Sequence, residues 1–373
     1  MELSSVFSRL GVFFAGAMFV VCSVLPGCGG GSSGTADEPG WGAVKATTTV
    51  TLAMPTLFEQ PRPLAISTLG WEDGLNVSRD GLHLYATYIP ADFLSFVLSG
   101  DSVTALPAYD RGPHYDMDLE SNPTGETFRW YHSDIIYASR LSATDPFSPW
   151  QTSGMKRPIY SEGGVSTLFS DAGTVEWALF TSNDGGGQTN LKVISNTHPA
   201  LSGLGVVMDI NTPYIEDNPH IDRIDSDTLI LFFDSPDRPG GAGGHDLWYS
   251  LSTDNGASWR DPEPVSSVNT PGTEHQPHLY FDGADWWLYF SAYHSDGKLA
   301  IFRASQQQPA DWNSWGTREL VLSAGSAAGI GEPTLTRDGD LYFVVVYENP
   351  EGADHDRFDA DPWMAGARNT GGQ

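Results

Sequence analysis

The sequence predicts an all-β, five-bladed β-propeller of four-stranded blades, because one strand pattern recurs along the chain. Each copy has an acidic start, a short alternating run, an Asp-Gly or similar turn, and an aromatic strand. The clearest copies begin at Glu72, Glu274 and Ile330, and weaker ones begin at Glu162 and Glu216. The copies follow one another in steps of 90, 54, 58 and 56 residues. Repeats of several short strands at such spacing are typical of propeller blades.

Composition agrees with this fold and excludes some functions. The 373 residues include 41 glycines and 25 prolines, and no long helical periodicity follows residue 30, which indicates a turn-rich β-protein. The net charge of -28 repels nucleic acid phosphates and anionic lipid surfaces. We therefore expect neither nucleic acid binding nor electrostatic binding to a membrane.

The first 27 residues have the pattern of a secretory signal. The apolar run at 10–25 is too short for a membrane span, and the Leu-Pro-Gly-Cys that ends at Cys28 resembles a bacterial lipobox. The resemblance implies a lipid anchor on Cys28, and Gly29 after it favours the outer membrane. Ordinary cleavage that frees a soluble, exported protein is the alternative. We expect a flexible tether at 28–44, the propeller at 45–368 and a tail at 369–373.

The remaining strands follow from the repeat. Third strands are predicted at 134–140, 246–250, 299–304 and 361–365, and segments rich in Trp and Pro supply the fourth. The last repeat ends at its third strand, so we expect the N-terminal strand 47–54 (TTTVTLAM) to complete that blade and remove its exposed edge. The excess length of the first repeat lies at 101–130, a polar insertion loop. With the loops 234–245 and 348–360, it should lie at one mouth of the ring.

Two local motifs resemble known propeller repeats. The run FDSPDRPGGAGGHDLW at 233–248, followed by EHQP at 274–277, is similar to the PD40 or WD40-like repeats of TolB-type propellers. That resemblance implies a lipid-anchored envelope scaffold that binds a protein or a carbohydrate ligand. The run STDNGASW at 252–259 resembles the Asp-box of sialidases and other propellers, for which we expect a structural role.

Acidic and histidine side chains should line the mouth. They are Glu72, Asp73, Glu162, Glu216, Asp217, His220, Glu274, His275, His278 and Glu332, with Arg238 in an adjacent loop. Five-bladed rings resemble arabinanases, xylosidases and related glycoside hydrolases, which implies Asp73 and Glu216 as a catalytic pair with Asp217 or Glu162 as modulator. The opposing interpretation is structural, since glutamate recurs in four of the five repeats as a repeated hydrogen bond would require. An enzyme, either glycoside hydrolase-like or polysaccharide lyase-like, is therefore the alternative to the scaffold.

The histidines suggest a further possibility. His220 and His278 each follow a proline at equivalent positions, and Glu274 lies nearby in sequence. These three are the candidates for a divalent cation such as Ca²⁺, Mn²⁺ or Zn²⁺, and propeller lyases that cleave uronates are similar in using histidine and metal. The alternative is that each histidine faces the neighbouring blade and is satisfied there.

Overall fold

A computed structural model describes residues 40–68, 70–89, 92–94, 133–155, 161–183, 189–352 and 357–368. These residues form five antiparallel sheets, which are the blades of a propeller. The first elements of the described part are α1 (Trp41–Thr47), β1 (Thr51–Leu52) and β2 (Arg62–Pro63). The all-β, five-bladed fold predicted from the repeat is confirmed. The predicted insertion 101–130 lies outside the described residues.

The blades follow one another along the chain, each running from its inner strand outward. Blade 1 contains β3 (Trp71–Val77), β4 (His83–Ile89), β5 (Asp134–Ser139) and β6 (Gln151–Thr152). Blade 2 contains β7 (Glu162–Phe169), β8 (Val175–Ser182), β9 (Asn190–Thr197) and β10 (Val206–Val207). Blade 3 contains β11 (Asp217–Arg223), β12 (Leu229–Ser235), β13 (Asp246–Ser252) and β14 (Glu263–Pro264).

The last two blades have the same order. Blade 4 contains β15 (Glu274–Phe281), β16 (Trp286–Tyr293), β17 (Leu299–Ser305) and β18 (Glu319–Ser323). Blade 5 contains β19 (Gly329–Leu335), β20 (Leu341–Glu348) and β21 (Phe358–Ala365). Buried aliphatic and aromatic side chains of the inner and middle strands form the cores between neighbouring blades.

An N-terminal strand closes the ring, but it is not the predicted segment. The strand β2 pairs with β21 and completes blade 5, whereas β1, within 47–54, pairs with β18 and adds a fifth strand to blade 4. The bonds Ala53 N–H to Val321 O (3.0 Å) and Ser326 N–H to Thr49 O (2.9 Å) hold that segment at blade 4. The closing strand contains Pro63, which lacks an N–H. Proline is tolerated in an edge strand, and β2 is the outermost strand of blade 5.

Every inner strand carries a β-bulge at the same place in the repeat. The register shifts by one residue at Asp73/Asn76, Gly163/Ser166, Asp217/His220, His275/His278 and Gly331/Thr334. The first residue inside each bulge has a left-handed backbone, with φ of 58° at Gly74, 53° at Gly164, 48° at Asn218, 56° at Gln276 and 59° at Glu332. The repeat frame read from the sequence is therefore the structural frame.

Hydrogen bonds between inner strands join neighbouring blades. The residue that follows each bulge accepts a backbone N–H from the next blade: Asn76 from Thr167 (3.2 Å), Ser166 from Ile221 (3.1 Å), His278 from Leu335 (3.0 Å) and Thr334 from Val77 (3.2 Å). His220 occupies the fifth such position, with its ring centroid 4.2 Å from that of His278. These side chains therefore hold the inner strands of neighbouring blades together around the axis.

The Asp-box predicted at 252–259 makes the contacts of a structural turn. In the Asp-box, Asp254 accepts from the Ser258 N–H (2.9 Å) and hydroxyl (2.6 Å), while Gly256 packs against Trp177. The motif thus closes the turn between β13 and β14. Within the described part of the chain, no helix has the length and apolar character needed to cross a membrane.

Candidate functional site

Three of the repeated glutamates fasten the loop that leads into their own blade. Each carboxylate accepts both the N–H and the hydroxyl of a threonine four residues earlier, in the pairs Thr68–Glu72, Thr212–Glu216 and Thr270–Glu274. Glu216 also accepts from Arg238 at 3.2 Å, and Glu274 accepts from Arg318 at 3.2 Å. Burial raises the pKa of all three carboxyls. Their bonds are those of structural groups.

The β-bulges of all five blades line one small cavity, and Glu332 belongs to the bulge of blade 5. Glu332 accepts the Leu75 N–H at 2.8 Å and the Gln276 amide at 3.0 Å, and its own N–H bonds back to Gln276 Oε1 at 3.0 Å. Burial raises the pKa of Glu332 to about 8. Glu332 therefore links blade 5 to blades 1 and 4, and it keeps a proton at neutral pH.

Asp234 and Asp217 form the next part of this group. Asp234, at the end of β12, accepts the Gln276 N–H at 2.9 Å and the Asn218 amide at 2.8 Å through Oδ2. Asp217 accepts the Asn218 N–H at 2.9 Å. Burial and the nearby carboxylates of Asp234 and Glu332 raise the pKa of Asp217 well above its ordinary value.

Asp73 differs from Glu332, Asp234 and Asp217 in its hydrogen bonds. Its Oδ2 accepts the indole N–H of Trp71 at 2.6 Å, but its Oδ1 is buried and has no hydrogen-bond partner among the described residues. The side chain is 2% exposed. Burial, with repulsion from Glu332 and Asp217, raises its pKa well above the ordinary value. We define Asp73, Asp217, Asp234 and Glu332 as the axial carboxylate cluster.

Blade 2 adds no side chain to this cluster. At the two equivalent positions it carries Gly163 and Gly164, and the Gly164 N–H bonds to Thr87 Oγ1 at 2.9 Å. Glu162, one residue earlier, accepts the Ser182 hydroxyl at 3.2 Å. The polar groups of the mouth are therefore arranged asymmetrically, with the cluster supplied by blades 1, 3 and 5.

His220 and His278 lie farther along the axis than the cluster and separate two cavities. A small cavity of about 40 Å³ is bounded by the bulges, and a larger one of about 390 Å³ opens beyond the two histidines. Burial lowers the pKa of both imidazoles, to about 3 for His220. Because His278 Nε2 accepts a backbone N–H, that nitrogen is occupied in joining blades.

The potential metal ligands that the structure brings together are not the trio suggested by sequence. Glu274 is engaged by Thr270 and Arg318, away from His220 and His278. Instead, one ligand atom each from Asp234, His245 and His275 lie within 4.8 Å of one another.

Sequence reasoning identified some members of the site and missed others. It named Asp73, Asp217, His275 and Glu332 but missed residues that lie between or beside them: Trp71, Asn218, Asp234, His245 and Gln276. A usable signal existed for two of these. Asn218, Gln276 and Glu332 each precede a proline at the same repeat position, and that recurrence marks the left-handed residue of the bulge.

Comparison with known proteins gives matches at the level of fold alone. No protein-family model matches the chain, so the PD40 resemblance receives no support, and no curated protein matches it. Similar solved structures include three enzymes. The GH62 α-L-arabinofuranosidase catalytic domain of Coprinopsis cinerea has 11% identity and a TM-score of 0.49, over 81% of this chain and 92% of that one. An α-L-arabinofuranosidase of Lactobacillus brevis has 12% identity and a TM-score of 0.49, over 80% and 92%.

The third structure is an endo-arabinase of Bacteroides thetaiotaomicron, with 12% identity and a TM-score of 0.46, over 83% of this chain and 98% of that one. At such identities and scores, these likenesses carry no inference about the residues or the activity of this chain.

Proposed function

We propose that this chain is a carbohydrate-active enzyme that hydrolyses glycosidic bonds with the carboxyl groups of its axial cluster. The observation that carries the proposal is Asp73. Glu332 accepts two N–H bonds that join blades, and Asp234 accepts one from blade 4 and one from within blade 3, so the fold accounts for them. Asp73 has one bare, buried oxygen and two repelling neighbours. Carboxylates held in this way destabilise a fold and are concentrated at functional sites.

The chemistry suits a pair of carboxyls whose pKa values are raised by burial and by neighbouring carboxylates. Glycoside hydrolysis needs one protonated carboxyl to assist the leaving group and one ionised carboxylate on the other side of the bond. Repulsion from Asp217 contributes to the raised pKa of Asp73, and the pKa of Asp217 is raised as well. Like charges held together favour a state in which one group keeps a proton. We assign Asp73 and Asp217 to this pair, in place of Asp73 and Glu216.

The same charges favour a class of substrate. Four carboxyl groups at the axis, within a chain of net charge -28, repel sulfated, phosphorylated and uronic acid polymers. Blade 2, with Gly163 and Gly164, leaves one side of the cluster without side chains at these positions. We therefore propose an uncharged glycan as the substrate.

Release of sugar from a panel of substrates tests the proposal. The panel contains nitrophenyl glycosides, neutral plant and algal polysaccharides, and polygalacturonate, and it includes arabinofuranosides because the similar structures bear those names. We expect turnover of a neutral substrate by the wild type and a loss of about 10³-fold or more in Asp73→Asn and Asp217→Asn. Glu72→Gln, beside Asp73 but bound to Thr68, is the matched control and should retain activity. Absence of turnover on the whole panel, or full activity in Asp73→Asn, contradicts the proposal.

We also propose that the protein is exported and anchored by lipid on Cys28, facing the periplasm or the cell exterior. Support comes from the apolar run at 10–25 and the lipobox-like sequence that follows it. A glycosidase placed there would meet polysaccharide outside the cytoplasm.

A further inference from the structure

Three side chains from two blades meet beside the axial carboxylate cluster. Asp234 ends β12, His245 directly precedes β13, and His275 is the second residue of β15. One ligand atom of each lies within 4.8 Å of the other two, and His245 Nδ1 is 3.1 Å from Asp234 Oδ1. The rings of His245 and His275 have centroids 5.6 Å apart.

Asp234 is held in one orientation by the residues around it. Its Oδ2 accepts the Gln276 N–H at 2.9 Å and the Asn218 side-chain amide at 2.8 Å, so Oδ1 faces the histidines. Both donor residues have a left-handed backbone, with φ of 48° at Asn218 and 56° at Gln276. Non-glycine residues in that region carry strain, which is concentrated at functional sites. Fixing a ligating carboxylate through its second oxygen is a common feature of metal sites.

His275 supplies an independent indication of a ligand. Its side chain is 1% exposed, it makes no hydrogen bond with any described residue, and its Nε2 is buried. A buried polar atom without a partner is costly, and the inter-blade bonding that occupies His278 does not extend to His275.

We propose that Asp234, His245 and His275 bind one divalent transition-metal cation, with Zn²⁺ as the best match. Two imidazole nitrogens and one carboxylate oxygen suit Zn²⁺, whereas Ca²⁺ takes oxygen ligands. Three protein ligands leave a fourth position for water or a ligand oxygen. A cation here would also offset the negative charge of Asp217, which interacts with Asp234. The inference goes beyond the proposed function and does not depend on it.

Metal binding is measured on the full chain, without any substrate. The protein is stripped with a chelator, dialysed against Zn²⁺ or Co²⁺, and analysed for bound metal and for the ligand-field absorption of Co²⁺. We expect one cation per chain, an absorption spectrum typical of nitrogen and oxygen ligands, and no displacement by excess Ca²⁺. Zn²⁺ should also raise the melting temperature, because it binds the folded chain.

Variants separate the site from adventitious binding. We expect His245→Gln and His275→Gln to weaken Zn²⁺ affinity by about 100-fold or more and Asn218→Ala by about tenfold. His198→Gln, at an exposed histidine that accepts the Ala200 N–H, is the control and should bind normally. His245 is only half-buried, so its variant is expected to fold, as circular dichroism would show.

The proposal is overturned if the stripped wild type takes up no stoichiometric Zn²⁺ or Co²⁺, or if binding survives when His245→Gln and His275→Gln are combined in one variant. Stoichiometric Zn²⁺ in a protein that hydrolyses no glycan would leave this site intact and remove only the proposed function.

Discussion

The pairing of threonine with glutamate at the start of three blades predicts a repeated stability cost. In Glu72→Gln, Glu216→Gln and Glu274→Gln, the amide keeps one acceptor oxygen and turns an NH₂ group toward a threonine donor. Each variant therefore loses one charge-assisted bond of a buried pair, which we expect to lower the free energy of unfolding by about 2 kcal/mol. The Arg318 contact adds little at Glu274 because Arg318 is 40% exposed. The costs should be similar at Glu72 and Glu274 and larger at Glu216, whose partner Arg238 is only 12% exposed.

Urea unfolding at pH 7.5, followed by tryptophan fluorescence, measures these costs. Glu351→Gln is the control, since Glu351 is exposed and its variant should change stability by less than about 0.5 kcal/mol. If the three variants unfold like the control, the glutamates do not fasten the blades. If only Glu216→Gln loses activity while its stability is unchanged, Glu216 is favoured over Asp217 as the catalytic partner of Asp73.

Three further predictions concern the N-terminal segment and pH. Lys45→Met should lower the free energy of unfolding by about 3 kcal/mol in urea, because the Lys45 ammonium lies 2.8 and 2.9 Å from two buried aspartates of β21; an unchanged midpoint would contradict this. With chelator present, the melting temperature should fall as the pH rises from about 4.5 to 8. In this range folded Glu332 keeps a proton that the unfolded chain has lost. Glu332→Gln should flatten that slope, and parallel slopes would refute the assignment. Cys28→Ala should move the protein from the membrane fraction to the soluble fraction, and unchanged partition would exclude the anchor.

The fold was predictable because the same pattern of residue types recurs along the sequence, once for each blade. Acidic starts occur in four of the five repeats and Asp-Gly turns in three, and the β-bulges fall at the same frame positions in all five blades. The closing strand was not predictable, because Arg62–Pro63 is two residues long and lacks β propensity. The segment 47–54 has that propensity, but it covers the edge of blade 4 instead.

The candidate site was predictable only where it follows the repeat. Asp73, Asp217 and Glu332 lie on inner strands, so the frame brings them to one end of the ring. Asp234 and His245 flank a loop whose path is set by long-range contacts, and no periodicity relates them to His275. Which carboxylate lacks a partner also depends on three-dimensional packing, so the contrast between Asp73 and the fastened glutamates emerged only from the hydrogen bonds.

The most direct test of the account compares activity and stability in one variant, Asp73→Asn. If Asp73 serves chemistry, kcat/KM for the neutral glycan hydrolysed by the wild type should fall by about 10³-fold or more, while the melting temperature stays the same or rises as a buried repulsion is removed. If Asp73 is a structural group, the melting temperature should fall by several degrees and the remaining folded protein should keep its kcat/KM. That second result would contradict the central claim.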